Sequence, residues 1–174
     1  EFQRHRTWSY NEVSGRYTEL KPRFYLPPYK RPLIQQGKIG KYYFTQGTED
    51  QYITMIASKR RSIETAWREY QFQLDLSVAR EVARDELPVG IFTQFYATAN
   101  PRNVMQFLIL RTAPNALYEI RDVADQIEAH FASAMPLTYA VFTETRKKLS
   151  EEKQFETMYY ELLDEYNKLL EEKV

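Results

Sequence analysis

The sequence predicts an α+β fold with a helix-rich C-terminal half, on three observations. Residues 89–99, Val-Gly-Ile-Phe-Thr-Gln-Phe-Tyr-Ala-Thr-Ala, have the composition and length of a strand. Segments 53–75, 101–111 and 115–131 place apolar residues on one stripe at helical spacing. Residues 144–173 are densely charged, with Phe155, Tyr159, Leu162, Tyr166 and Leu169 at alternating spacings of four and three. At 174 residues the chain is long enough for one domain with a sizeable core.

Taken in order, residues 1–20 read as a strand end followed by an ordered loop. Residues 21–52 hold Pro22, Pro27, Pro28, Pro32, Gly37, Gly40 and Gly47 and read as a long loop over a site, since loops of this length are functional or disordered. Ile56, Ile63, Trp67, Tyr70 and Leu74 give the 53–75 helix its buried stripe. Ser77 is placed to cap a short helix through Glu86, which Pro88 stops. Asn100-Pro101 starts the next helix, with the amide as cap and proline in the first turn, and it runs to about Arg111. From near Asn115, Leu117, Ile120, Val123, Ala124, Ile127 and Phe131 share a face. Pro136 then breaks the chain before a final pair of helical segments. The apolar seam of the last segment suits packing against another helix, either on its own domain or in a coiled coil.

Composition excludes several chemistries. Lys+Arg and Asp+Glu are both 24, and this zero net charge argues against a duplex-binding protein. A mixture such as Tyr29-Lys30-Arg31 and Lys41-Tyr42-Tyr43 leaves single-stranded nucleic acid as a minor reading. The absence of cysteine removes disulfides, thiolate zinc sites and cysteine nucleophiles. No run is long and apolar enough for a membrane span, and no metal site is expected.

Residues 4–16, Arg-His-Arg-Thr-Trp-Ser-Tyr-Asn-Glu-Val-Ser-Gly-Arg, concentrate the chemistry. Arginine forks bind phosphate oxygens two at a time. A Ser-Gly turn presents backbone N–H groups to an anion, and Glu12 is suited to a sugar hydroxyl. The pattern fits a phosphorylated, planar, polar ligand. Arg4-His5-Arg6, then seven residues, then Ser14, with Ser9-Tyr10-Asn11-Glu12 and Gly15-Arg16-Tyr17 around it, resembles the signature of the flavin-dependent thymidylate synthases.

Arg111 is a second pointer. On a helix at about 100° per residue it falls in the stripe of Val104, Phe107 and Leu108, and a charge aimed into a core is costly unless paired. The plain alternative is that it snorkels at the helix end or pairs with a carboxylate such as Glu119. Arg84-Asp85-Glu86-Leu87-Pro88, Thr93, Tyr96, Asn100, Arg102, Phe107, Leu110-Arg111 and Glu119-Ile120-Arg121 resemble the same family's second conserved block. From spacing alone, Arg84 would be a solvated helix arginine.

The resemblance implies a mixed sheet packed by helices, with a catalytic domain over residues 1–142 and a charged C-terminal helix over 143–174. The family carries a substantial segment upstream of its signature, so the chain is expected to lack an N-terminal part. The implied reaction is reductive methylation of dUMP to dTMP, with methylenetetrahydrofolate as carbon donor and FAD, reduced by NADPH, as hydride source. Arg111 would contact the uracil ring as the catalytic group. Arg4, Glu12, Ser14, Gly15, Arg16 and Arg84 would join it in binding dUMP, with Arg84 on the phosphate. Arg4, His5, Arg6, Thr7, Asn11, Asn100, Arg102 and Gln106 would lie at FAD, His5 as an orienting group and not a base. Ser14 is assigned to binding, because no base is evident beside it. The family works as a cytoplasmic homotetramer with shared sites. The chain departs from the pattern at Glu1, where glutamine is common, at Leu117, where a His-Ala-Gln run often ends, and at Gln106, where asparagine is frequent. Glutamine keeps the amide, so binding is expected to survive there; the expected lack of the N-terminal part and Leu117 leave a non-catalytic nucleotide-binding relative as the alternative.

Overall fold

The computed structural model describes residues 1–39 and 41–171, with the side chains of Lys41, Glu161 and 164–171 outside the description. The chain forms two compact units, Arg6–Ala99 and Glu1–His5 joined with the chain from Asn100 onward.

In the unit Arg6–Ala99, β1 (Ser9–Glu12) pairs antiparallel with β4 (Phe95–Thr98), Ser9 opposite Thr98 and Glu12 opposite Phe95. The edge of the ladder continues where Val13 N–H donates to the Gln94 carbonyl at 2.9 Å. β2 (Ile34–Lys38) and β3 (Lys41–Thr45) form an antiparallel hairpin. α1 (Glu49–Asp75) starts earlier than the apolar stripe suggests, because Thr48 and Gln51 form a reciprocal capping box. Its covered stripe includes the expected Ile56, Ile63, Trp67, Tyr70 and Leu74, and Tyr70 is fully buried. The Tyr70 hydroxyl accepts the Leu20 N–H at 3.3 Å and so ties the loop after β1 to this helix. α2 (Arg80–Ala83) runs into a 3-10 turn over Arg84–Glu86, with Ala83 fully buried.

In the other unit, α3 (Pro101–Arg111) begins at Asn100, whose side-chain oxygen accepts the Asn103 N–H at 2.9 Å, as the Asn-Pro pair predicts. α4 (Tyr118–Ala134) and α5 (Pro136–Glu171) follow. Phe107, Leu108 and Ala124 are fully buried, and Ile120, Phe131 and Phe142 nearly so. Burying each large side chain of this set is worth about 1.5–3 kcal/mol. Phe2 stacks on Phe107 with ring centroids 4.9 Å apart, which fixes the residues before the signature against α3. Glu128 accepts a hydrogen bond from Tyr139 and an ion pair from Arg146, so α5 is fastened to α4 over its first turns.

The α+β class and the helical C-terminal half hold; several finer expectations change. The strands form two antiparallel ladders, and no parallel pairing occurs among the described residues. A parallel pair needs a long crossover, whereas β2 and β3 are hairpin neighbours. That hairpin lies inside the expected 21–52 loop. Its strand Ile-Gln-Gln-Gly-Lys has one apolar residue and is held by backbone bonds and a cross-strand Tyr43–Gln36 hydrogen bond, which leave no alternation to read. Gly40 lies outside the described residues. Ser77 does not cap α2: it takes the left-handed conformation at φ 62, and Ala79 stands at the cap. The 89–99 segment is a strand only over Phe95–Thr98, preceded by a Phe24–Ile91 bridge. α4 begins at Tyr118 rather than near Asn115, with Leu117 and Val123 exposed. The expected final pair of helical segments is one helix, because proline at the first helical position of α5 costs no hydrogen bond. Phe155, Tyr159 and Leu162 are exposed on it, while the side chains of Tyr166 and Leu169 and residues 172–174 lie outside the described residues.

Candidate functional site

In the unit Arg6–Ala99, the Ser-Gly turn after β1 is the centre of the first site. The Tyr17 and Thr18 N–H groups fold back on the Ser14 carbonyl at 3.2 and 3.0 Å, and Arg16 N–H donates to the Ser14 hydroxyl at 3.3 Å. Gly15 is buried. A Cβ there would stand 3.1 Å from Leu20 Cδ1 and 3.6 Å from Arg84 Cδ, so glycine lets Leu20 and the arginine stem close over the turn. Glu12, Ser14, Gly15 and Arg84 together line one cavity of about 390 Å³, walled by Leu20 and Ile91. Spacing alone does not join Ser14 and Arg84, which the resemblance had grouped at one ligand; the buried Ala83 anchors α2, and Arg84 follows it at the turn.

The two arginines of this site are in different states. Arg84 is exposed and makes no ion pair among the described residues. Arg16 is held by Glu81, its Nε and one terminal nitrogen both near Oε2 at 2.9 and 2.8 Å. Sequence reasoning missed Glu81, although its position three residues before Arg84 puts it on the same short helix. Both partners of that pair are about half exposed, so its net contribution is small.

In the other unit, Arg111 sits where the helical wheel placed it, beside buried Phe107 and Leu108, with its side chain 15% exposed. The carboxylate it pairs with is Glu1. Arg111 Nη1 lies 2.9 Å from Glu1 Oε2, and Arg111 Nε donates to His5 Nε2 at 2.9 Å. His5 is 8% exposed and packs edge-on against Phe107 at 4.8 Å. Burial and the neighbouring Arg111 guanidinium hold its pKa below the ordinary 6.5, although Glu1 opposes this. Accepting from Arg111 at Nε2 puts the proton of the neutral ring on Nδ1. Glu1, noted in the sequence only as a departure, is thus part of the guanidinium's setting.

The remaining candidates divide between the units. Arg4, Asn100, Arg102 and Gln106 are exposed in the unit of Arg111, and Arg6, Thr7 and Asn11 are exposed in the unit of the turn. Arg4, Arg6 and Arg102 make no ion pair among the described residues, so each offers a guanidinium to an anion. Asn100 has its amide N–H groups open to a ligand, while its oxygen already accepts the α3 cap bond. No helix among the described residues is long and apolar enough to cross a membrane.

Known proteins resemble this chain in sequence and fold. The family model described as Thymidylate synthase complementing protein matches residues 1–137. The flavin-dependent thymidylate synthase of Streptomyces avermitilis is 48% identical over 150 residues, which cover 82% of this chain and 61% of that protein. The enzyme of the same name from Thermus thermophilus is 38% identical over 143 residues, covering 81% of this chain and 50% of that one. The chain thus spans between half and about three-fifths of the length of these curated relatives. The crystal structure of the UMP/dUMP methylase PolB from Streptomyces cacaoi, bound with 5-Br UMP, superposes with a TM-score of 0.80 at 43% identity, covering 82% of this chain and 67% of that one. A family match over most of the chain, and a solved relative with the same fold, lead to one conclusion: the chain belongs to the thymidylate synthase complementing family, that of the flavin-dependent thymidylate synthases.

Proposed function

We propose that the chain serves the reductive methylation of dUMP to dTMP in the cytoplasm, with methylenetetrahydrofolate as carbon donor. The observation that carries this is Arg111, a nearly buried guanidinium held between a carboxylate and a neutral imidazole. Glu1 and Arg111 offer an acceptor and donors side by side. That pairing suits a ring N–H flanked by a carbonyl, which uracil has at N3 and cytosine lacks. A fixed guanidinium at a uracil carbonyl stabilises the negative charge that develops when the ring reacts at C5 or C6. Arg84 and the Ser14-Gly15 turn would hold the phosphate, Arg16 beside them, and Glu12 would hold the sugar.

The donor set suits FAD. Arg4, Arg6 and Arg102 supply exposed cations for a pyrophosphate, and the Arg102 and Gln106 side chains project four residues apart on α3. His5, Thr7, Asn11 and Asn100 complete the assignment. When bound and reduced by NADPH, the flavin would supply hydride, so that the transferred methylene becomes a methyl group, tetrahydrofolate leaves and the C5 hydrogen departs as a proton. His5, already accepting from Arg111, would orient that guanidinium rather than abstract a proton. A homotetramer with shared sites is the assembly this reading carries.

The test is the visible spectrum of the purified protein with FAD, before and after dUMP, followed by a turnover assay. A flavin band that shifts with dUMP supports the reading; flavin binding without a dUMP response refutes it. The alternative, a non-catalytic nucleotide-binding relative, is favoured by Leu117, which stands at the start of α4 with no side-chain cap bond. Nucleotide binding without turnover would select it.

A further inference from the structure

Between Leu20 and Glu49 the sequence carries six cations, Lys21, Arg23, Lys30, Arg31, Lys38 and Lys41, and no Asp or Glu. The chain as a whole is neutral, so this excess is local, and it sets a positive field over its own surface. The last four cations lie on the β2–β3 hairpin or just before it. Opposed residues of an antiparallel ladder share a face; Tyr42 stands opposite Gly37, and Phe44 opposite Gln35. Tyr42 and Phe44 therefore sit on one face, about 6.7 Å apart along the strand, and both are about half exposed. Gly37, at φ 93, has no side chain to cover Tyr42. The Arg31 guanidinium lies over the Phe44 ring, 5.6 Å from its centroid. Gln46 donates to the Tyr29 carbonyl at 2.6 Å, which brings the Tyr29-Lys30-Arg31 run to the base of the hairpin. Lys30 and Lys38 are exposed and make no ion pair among the described residues. Tyr43, on the other face, is tied down by its hydroxyl to Gln36 at 2.8 Å.

We propose that this face of the hairpin binds single-stranded nucleic acid, with bases stacked on Tyr42 and Phe44 and phosphates against Lys30, Arg31 and Lys38. Exposed rings in a row with cations alongside take unpaired bases without reading their sequence. A duplex hides its base faces and offers this surface phosphates alone. An anionic membrane fits less well, because the rings lie along the strand, and at the described part of the turn the exposed apolar side chain is Ile39. The surface is separate from the Ser-Gly turn and makes no use of the residues assigned to dUMP or FAD.

The experiment is fluorescence anisotropy of a labelled oligothymidylate of about 16 nucleotides, long enough for one such site, titrated with the full chain in saturating dUMP and FAD. Saturable binding is expected, weakening as salt is raised and tighter than to a duplex of the same length. Tyr42→Ala should weaken it by about 5- to 150-fold, the weight of one stacked base, whereas Tyr42→Phe should bind like the parent, since either ring stacks. Lys38→Gln should lower the salt slope by about one. No saturable binding, or equal binding by Tyr42→Ala, overturns the proposal. Binding seen only without dUMP and FAD overturns it by placing the oligonucleotide in the site already described. Equal binding of the duplex would leave a charge effect and no stacking, and binding of phosphatidylserine vesicles in place of the oligonucleotide would make the face a membrane surface; either result overturns it. A smaller mass in solution for Tyr42→Ala, with oligonucleotide binding unchanged, overturns it in favour of a contact between copies of this chain.

Discussion

The two units set their arginines in opposite conditions. Arg111 is largely buried and already satisfied by Glu1 and His5, whereas Arg84 is exposed beside a backbone turn, with no ion pair among the described residues. Desolvating an unpaired cation is expensive, so the buried one must arrive with its own counter-charge. That makes it a directional donor suited to a neutral carbonyl rather than a sink for a dianion. The exposed one keeps its full charge in water and suits a phosphate. Arg16 stands between these conditions, paired with Glu81 but half exposed, and an arriving anion competes with that carboxylate.

The sharpest way to break this comparison is to remove each guanidinium. Arg111→Ala is expected to lower turnover by about 100- to 1,000-fold, the usual loss for a preorganised donor to developing charge, with flavin content retained. Unchanged turnover in a steady-state assay would end its catalytic role. Arg84→Ala should raise the apparent dUMP constant by about 10- to 100-fold, the weight of one charge-assisted hydrogen bond, and leave kcat far less affected. If flavin content fell and the dUMP constant did not move, Arg84 would belong to the cofactor and the contrast between the two arginines would fail.

A smaller effect sharpens the description of the turn. Gly15→Ala places a methyl group 3.1 Å from Leu20 Cδ1, a contact that Leu20 must relieve by moving toward the cavity it walls. The expected loss is about 1 kcal/mol of stability, at the low end for overpacking. It should be measurable by urea denaturation, together with weaker dUMP binding. A variant as stable as the parent would mean that Leu20 moves freely and does not fix the turn.

What the sequence made legible follows from the range of the interactions. The Asn100 cap, the stripe of α3 and the inward position of Arg111 depend on residues within one or two turns, and all are present. The signature turn at Ser14-Gly15 is local in the same way. The Glu1–Arg111 pair, the Glu81–Arg16 pair and the meeting of Arg84 with Gly15 join positions far apart in the chain, and spacing carries no trace of them. The β2–β3 hairpin was hidden for another reason: it exposes most of its side chains on both faces, so burial never imposes alternation. Ser77 misled because a serine before a helix reads as a cap, while the chain here uses it at positive φ to turn out of α1.

The smallest expected effect concerns His5 and tests whether the Arg111 setting is held by the neutral ring. Its pKa lies below the ordinary 6.5, chiefly through burial and then through Arg111. The unfolded chain therefore takes up the proton first as the pH falls. The stabilising contribution of the neutral ring is complete above about 6.5 and declines below it, toward the folded-state value. Protonation also removes the Nε2 acceptor and sets a cation against Arg111. His5→Gln keeps an acceptor for Arg111 without titrating. The difference in Tm between parent and variant should be constant from pH 7 to 8 and should shift in favour of the variant as the pH is lowered from 6.5 to 5. Carboxylates elsewhere titrate equally in both proteins and cancel in that difference. A pH-independent difference would mean that His5 is solvated in the folded chain, and that Glu1 alone positions the guanidinium.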